Sequence, residues 1–197
     1  MGEVKNILFC GVGGQGTILA SKVLAAALVD AGYDVKMSEI HGMSQRGGSV
    51  TTQVRYGEKV YSPIIDEGGA DILVSFESME AFRNLKELKP GGQVVVNDCE
   101  IPTATTLSGS QSYPADVLAR VRILAPTHVI PAEEAAKELG NPKVQNMVLL
   151  GALIRLMKLE ELDWKSAVEQ CVKPQFVEIN LKALSKGEEA VDEFSDI

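Results

Sequence analysis

Two glycine-rich stretches hold the residues with the clearest chemistry. The first is Gly11-Val12-Gly13-Gly14-Gln15-Gly16-Thr17, in which Gly11, Gly13 and Gly16 match the spacing G-x-G-x-x-G. The short apolar run Lys5 to Cys10 precedes it and reads as a buried strand. Ile18 to Ala31 follows, with Ile18, Leu19, Val23, Leu24, Ala27, Leu28 and Ala31 on one helical face. A strand turning sharply into a helix presents unpaired backbone N–H groups at the positive end of the helix dipole, and its natural guest is a phosphate or another anion. The plainer reading is that the glycines only permit a tight strand–helix crossing. A Walker A loop is excluded, because no Gly-Lys-Ser/Thr stands at the required spacing and Lys22 falls on the following helix.

The second stretch is His41-Gly42-Met43-Ser44-Gln45-Arg46-Gly47-Gly48-Ser49. It is polar and glycine-rich, hence a loop, and it leaves the end of a strand predicted over Tyr33 to Ile40. At the carboxyl edge of an open parallel sheet it would lie beside the first loop, where ligands of such sheets bind. Arg46 offers a planar fork for phosphate or carboxylate, and His41 a proton or a hydrogen bond. Ser44 and Gln45 are suited to orienting a ligand or capping backbone, and the plainer reading is a loop glycine pair, Gly47-Gly48, beside an exposed arginine. Glu39 stands about where a dinucleotide-binding sheet places its ribose-binding acid, and a solvated acid at a strand end is the equal alternative.

Other elements must hold these loops in place. Val50 to Tyr56, the turn Gly57-Glu58 and Lys59 to Ser62 read as a β-hairpin, an interruption that a plain dehydrogenase domain would not contain. A buried strand is expected over Ala70 to Phe76, then a helix over Ser78 to Leu88 broken by Pro90-Gly91-Gly92, then a strand over Gln93 to Asp98. Ile101 to Pro114 reads as surface, Ala115 to Val121 as a short helix, and Thr127 to Ile130 as the last strand, with His128 structural. Pro131 opens a helix, since proline suits the first turn. The apolar run Val144 to Leu159 is a further helix, begun by a polar Asn146 with a capping or a ligand role. Asp163 caps another, and Phe176 to Leu184 forms the last, stopped near Gly187. The chain thus reads as one α/β domain over residues 1–187, Rossmann-like and three-layered, with a mostly parallel sheet, an inserted β-hairpin and a helical C-terminal part. An acidic, frayed tail is expected over 188–197.

Composition narrows the function. A net charge of −8 argues against nucleic-acid binding. No run of about 18 apolar residues suggests a membrane span, and the N-terminus enters strand one without a signal-peptide pattern, so a cytoplasmic location is expected. Cys10, Cys99 and Cys171 are isolated, forming neither a CxxC pair nor an iron–sulfur ligand run, and read as free thiols.

Gly11 to Gly16 together with Met43 to Ser49 resemble the gamma-type component of the 2-oxoacid:ferredoxin oxidoreductases. Lys36 to Gly48 points within that family to its indolepyruvate branch, and Asn180 to Gly187 resembles the family's C-terminal helix ending. The resemblance implies a subunit of an enzyme that converts an arylpyruvate, coenzyme A and oxidised ferredoxin into arylacetyl-CoA, carbon dioxide and reduced ferredoxin. It implies that a large partner subunit holds thiamine diphosphate and the iron–sulfur clusters, that this chain is inactive alone and serves the coenzyme A side, and that no residue here need be catalytic. The implied coenzyme-binding set is Gly11, Gly13, Gly14, Gln15, Gly16, Thr17, Glu39, His41, Ser44, Gln45, Arg46, Gly47 and Gly48. The 44–49 loop or the apolar faces of the C-terminal helices would otherwise form the contact with the large subunit, and a homodimer of the isolated chain is compatible with such surfaces. The alternatives are a gamma subunit of a related pyruvate or 2-ketoisovalerate enzyme, a free-standing NAD- or flavin-binding Rossmann oxidoreductase, and an interaction scaffold with a vestigial glycine loop.

Overall fold

The computed structural model describes residues 3–42, 47–102, 104–110 and 112–193. Its centre is a six-stranded sheet in the order β2-β3-β1-β4-β5-β6. The strands are β1 (Lys5–Val12), β2 (Asp34–His41), β3 (Ser49–Gly57), β4 (Ala70–Ser75), β5 (Leu88–Asn97) and β6 (Thr127–Ile130). β1, β4, β5 and β6 run parallel, whereas β3 is antiparallel to both β1 and β2. Five strands therefore point one way and β3 is the exception, so the expected α/β architecture with a mostly parallel sheet holds.

β1 alternates between two cores. Ile7 and Phe9 face one in which α1 (Thr17–Asp30), α5 (Ala132–Glu138), α6 (Gln145–Met157), α7 (Trp164–Cys171) and α8 (Val177–Glu193) pack. Leu8 and Cys10 face a smaller one, covered by α2 (Ser78–Asn84) and α4 (Val117–Leu124). A single four-residue turn of helix, α3 (Ala104–Leu107), lies in the stretch expected to be irregular.

Three expectations are corrected. The expected hairpin partner at Lys59 to Ser62 is not a strand; β3 pairs with β2 and β1 instead. Side chains hold the 58–65 segment: Asp34 accepts from the Val60 N–H, Arg55 donates to the Ser62 and Ile64 carbonyls, and Gln53 accepts from the Ile65 N–H. These are side chain–backbone bonds spanning seven to 26 residues, so the alternation of a strand pattern could not reveal them. Second, Pro90-Gly91-Gly92 does not separate a helix from a strand. α2 ends at Asn84, and β5 already starts at Leu88 and carries the glycines as an irregularity in its register with β4. Third, Gly187 does not stop the last helix, because α8 continues to Glu193. A Cβ on Gly187 would lie 1.8 Å from the Val148 carbonyl oxygen, and one on Gly151 would lie 2.0 Å from that of Leu184. These glycines let α6 and α8 cross at backbone contact.

Candidate functional site

The first glycine stretch joins β1 to α1 as expected. Gly14 and Gly16 have φ of 110° and 85°, a left-handed conformation that side chains resist. α1 begins at Thr17, so the N–H groups of Thr17, Ile18 and Leu19 have no carbonyl one turn earlier to accept them.

Gln15 is turned inward. Its side-chain oxygen accepts from the Val12 N–H at 2.7 Å, and its amide donates to the Phe76 carbonyl at 2.7 Å. It ties the ends of β1 and β4 together and so builds the loop. Gly11 is a glycine for the same reason, since a Cβ there would lie 2.9 Å from both the Gln15 side chain and Phe76. Asn146, at the start of α6, is buried and donates to the Gly16 carbonyl at 3.2 Å. The observed bond is neither the helix cap nor the ligand contact expected from sequence: Asn146 supports this loop, and Val144 stands at the N-cap of α6.

The two glycine loops are joined. The Gly13 N–H donates to the Gly48 carbonyl at 2.8 Å, and the Gly13 carbonyl accepts from the Gly47 N–H at 3.2 Å. Ser49, the next residue, donates to the buried Glu80 carboxylate at 2.5 Å, whose other oxygen accepts from Arg83 at 2.5 Å. Met43, Ser44, Gln45 and Arg46 lie outside the described residues. Glu77 and Glu80 drew no notice in the sequence. Glu77 accepts from the Glu80 and Ile101 N–H groups and from the Tyr113 hydroxyl, and holds that phenol well above its usual range through burial and the carboxylate beside it.

A cavity of about 400 Å³ opens beside these loops. Gly13, Gly14, Gly16, Thr17 and Ile18 line one side. Glu39, His41, Val50 and Thr52 line the other, along β2 and β3. Register explains the second wall: Glu39 stands opposite Thr52 and His41 opposite Val50, while Thr52 and Val50 stand opposite Phe9 and Gly11 of β1. All therefore share the α1 side of the sheet. Thr52 and Ile18 were missed; counting alternate residues along β3 from Val54 would have found Thr52. Of the expected set, the structure gathers Gly13, Gly14, Gly16, Thr17, Glu39 and His41 at the cavity and sets Gly11 and Gln15 beneath it.

This edge differs from a dinucleotide-binding sheet in two ways. β3 separates β1 from the strand that carries Glu39. Gly13, whose backbone would otherwise approach a pyrophosphate, has both polar groups engaged by the second loop.

Sheet order, joined loops and cavity define an α/β chain with a candidate ligand site at the edge beside β1, and the comparisons give its family. The keto/oxoacid ferredoxin oxidoreductase gamma subunit from Geobacter sulfurreducens superimposes with a TM-score of 0.71 and 25% identity, over 96% of this chain and 99% of that one. The 2-oxoglutarate:ferredoxin oxidoreductase from Magnetococcus marinus, solved with 2-oxoglutarate, coenzyme A and succinyl-CoA bound, contains the same fold: the TM-score is 0.78 at 24% identity, over 99% of this chain and 32% of that one. Indolepyruvate oxidoreductase subunit IorB of Thermococcus kodakarensis is 38% identical over 198 residues, 95% of this chain and 96% of its own. The profile of the pyruvate ferredoxin/flavodoxin oxidoreductase family matches residues 6–190. The chain belongs to that family.

Proposed function

We propose that this chain is the small subunit of an indolepyruvate (arylpyruvate):ferredoxin oxidoreductase and that its cavity forms part of the coenzyme A site. Full-length similarity to indolepyruvate oxidoreductase subunits supports the substrate assignment over the more distant pyruvate or 2-ketoisovalerate branches. Thiamine diphosphate and iron–sulfur clusters, held by the large subunit, supply decarboxylation and electron transfer to ferredoxin. Among the described residues no three His, Cys, Asp or Glu side chains come together as a metal site. No described helix is long and apolar enough to cross a membrane.

The observation that carries this reading is the cavity, walled on one side by the unpaired N–H groups that open α1. Those groups take hydrogen-bond acceptors of coenzyme A, and Arg46 takes a phosphate. Fixing the coenzyme places its thiol near the partner's reacting centre and replaces a bimolecular encounter with a positioned one. Two variants of the assembled complex test this. Arg46→Ala raises the KM for coenzyme A at nearly constant kcat. Ile18→Trp, at a cavity-lining residue that is 39% exposed, does the same by filling the space. An unchanged KM in both overturns the proposal.

A further inference from the structure

We infer that the cavity holds the uncharged pantetheine stretch of coenzyme A, with Glu39 as the residue that sets this register, and that the phosphates lie outside it; the inference rests on the coenzyme A reading above. The two walls differ in hydrogen-bonding character. The α1 wall offers donors, the N–H groups of Thr17 and Ile18. The β2 wall offers Glu39, and an ionised carboxylate only accepts. The Glu39 side chain is exposed and makes no hydrogen bond or ion pair with the described residues, so its oxygens are available to a guest.

Between the walls are the hydroxyls of Thr17 and Thr52. These residues are only 4% and 1% exposed, yet neither hydroxyl has a hydrogen-bond partner among the described residues. Since no buried side-chain oxygen is left unsatisfied, both hydroxyls must reach the open space of the cavity that their residues line. Ile18 and Val50 add apolar surface.

A guest that suits this lining needs acceptors on one side, donors on the other and an apolar backbone. A chain of secondary amides has all three: its carbonyls accept from the α1 N–H groups, its N–H groups or hydroxyl donate to Glu39, and its methylenes lie on Ile18 and Val50. A phosphate offers acceptors alone and would set negative charge against Glu39. Coenzyme A contains both kinds of group, and the lining selects the amide portion.

The test is the steady-state KM of the assembled complex for coenzyme A and for dephospho-coenzyme A, with wild type, Glu39→Ala and Glu39→Gln. Glu39→Ala should raise both KM values by the same factor, about five- to tenfold, with kcat held within about twofold. Glu39→Gln, which keeps an acceptor oxygen, should recover part of that loss. A KM for coenzyme A that falls when the carboxylate is removed, with or without a matching fall for the dephospho form, would place a phosphate against Glu39 and overturn the inference. So would an unchanged KM for both. Ile18→Trp and Arg46→Ala separate the two levels of argument: if neither alters the KM for coenzyme A, the coenzyme A reading itself fails, whereas a raised KM in either with an inert Glu39 removes only the present inference.

Discussion

Replacing Gly187 with alanine sets two effects of opposite sign against each other. α8 runs through this position, and alanine is favoured over glycine inside a helix by about 1 kcal/mol. The added Cβ, however, falls 1.8 Å from the Val148 carbonyl oxygen, where ordinary contact begins near 3.4 Å. The obstacle is the backbone of α6, which cannot rotate away as a flexible side chain would. The helices must part by about an ångström and a half along a seam that buries Val148, Ala152, Ala183 and Leu184. Overpacking of this kind costs about 3 kcal/mol, so about 2 kcal/mol of net destabilisation remains. For a chain of this size that lowers the melting temperature by about 4–8 °C. Thermal melts of wild type, Gly187→Ala and Gly151→Ala test it, with exposed Ser185→Ala as the control for helix propensity. One helix separation relieves both overlaps, so the double glycine variant should lose less than the two single losses added together. A melting temperature that rises or stays level in Gly187→Ala would refute the backbone-contact account of α6 and α8.

Three other outcomes follow from the site and its supports. Gln15→Ala strands the Val12 N–H and leaves the Phe76 carbonyl with only the longer bond from Asn97, and should cost about 2 kcal/mol in urea denaturation, with a raised KM for coenzyme A in the complex. Ser49→Ala and Glu80→Gln should each lose stability, Glu80→Gln the more because it also weakens the ion pair with Arg83, and their double variant should lose less than the sum, because the two share one hydrogen bond. His128 is half-buried against Gln93, and burial holds its pKa below the ordinary imidazole value. The unfolded chain therefore binds that proton more readily, so this residue subtracts stability as pH falls through the ordinary imidazole range. His128→Gln should narrow the difference in unfolding free energy between pH 8 and pH 5.5.

The elements legible in the sequence were those whose signals are local. β1, the glycine turn and α1 follow from an apolar run, three glycines and a helical stripe within about thirty residues. β3 was seen as a strand but given the wrong partner, because pairing with β1 is fixed by contacts some forty residues apart. Gly187 looked like a helix stop because glycine commonly is one, and only the distant carbonyl of Val148 explains why it is not. In the site, Glu39 and His41 were found by their place at and just past the end of a strand, while Thr52 was hidden in a strand interior. Gln15 looked like a ligand-binding side chain, and only the position of Phe76 shows that it joins two strands.

The dependence of the glycine loop on the far end of the chain has a consequence for the order of biosynthesis. Gly16 is supported by Asn146 of α6, and α6 packs against α8, which is translated after every strand of the sheet. The sheet strands are translated well before that helix. A nascent chain can therefore assemble β1 to β6 while the support under its first glycine loop is still missing, and that support is complete only once α8 has been made.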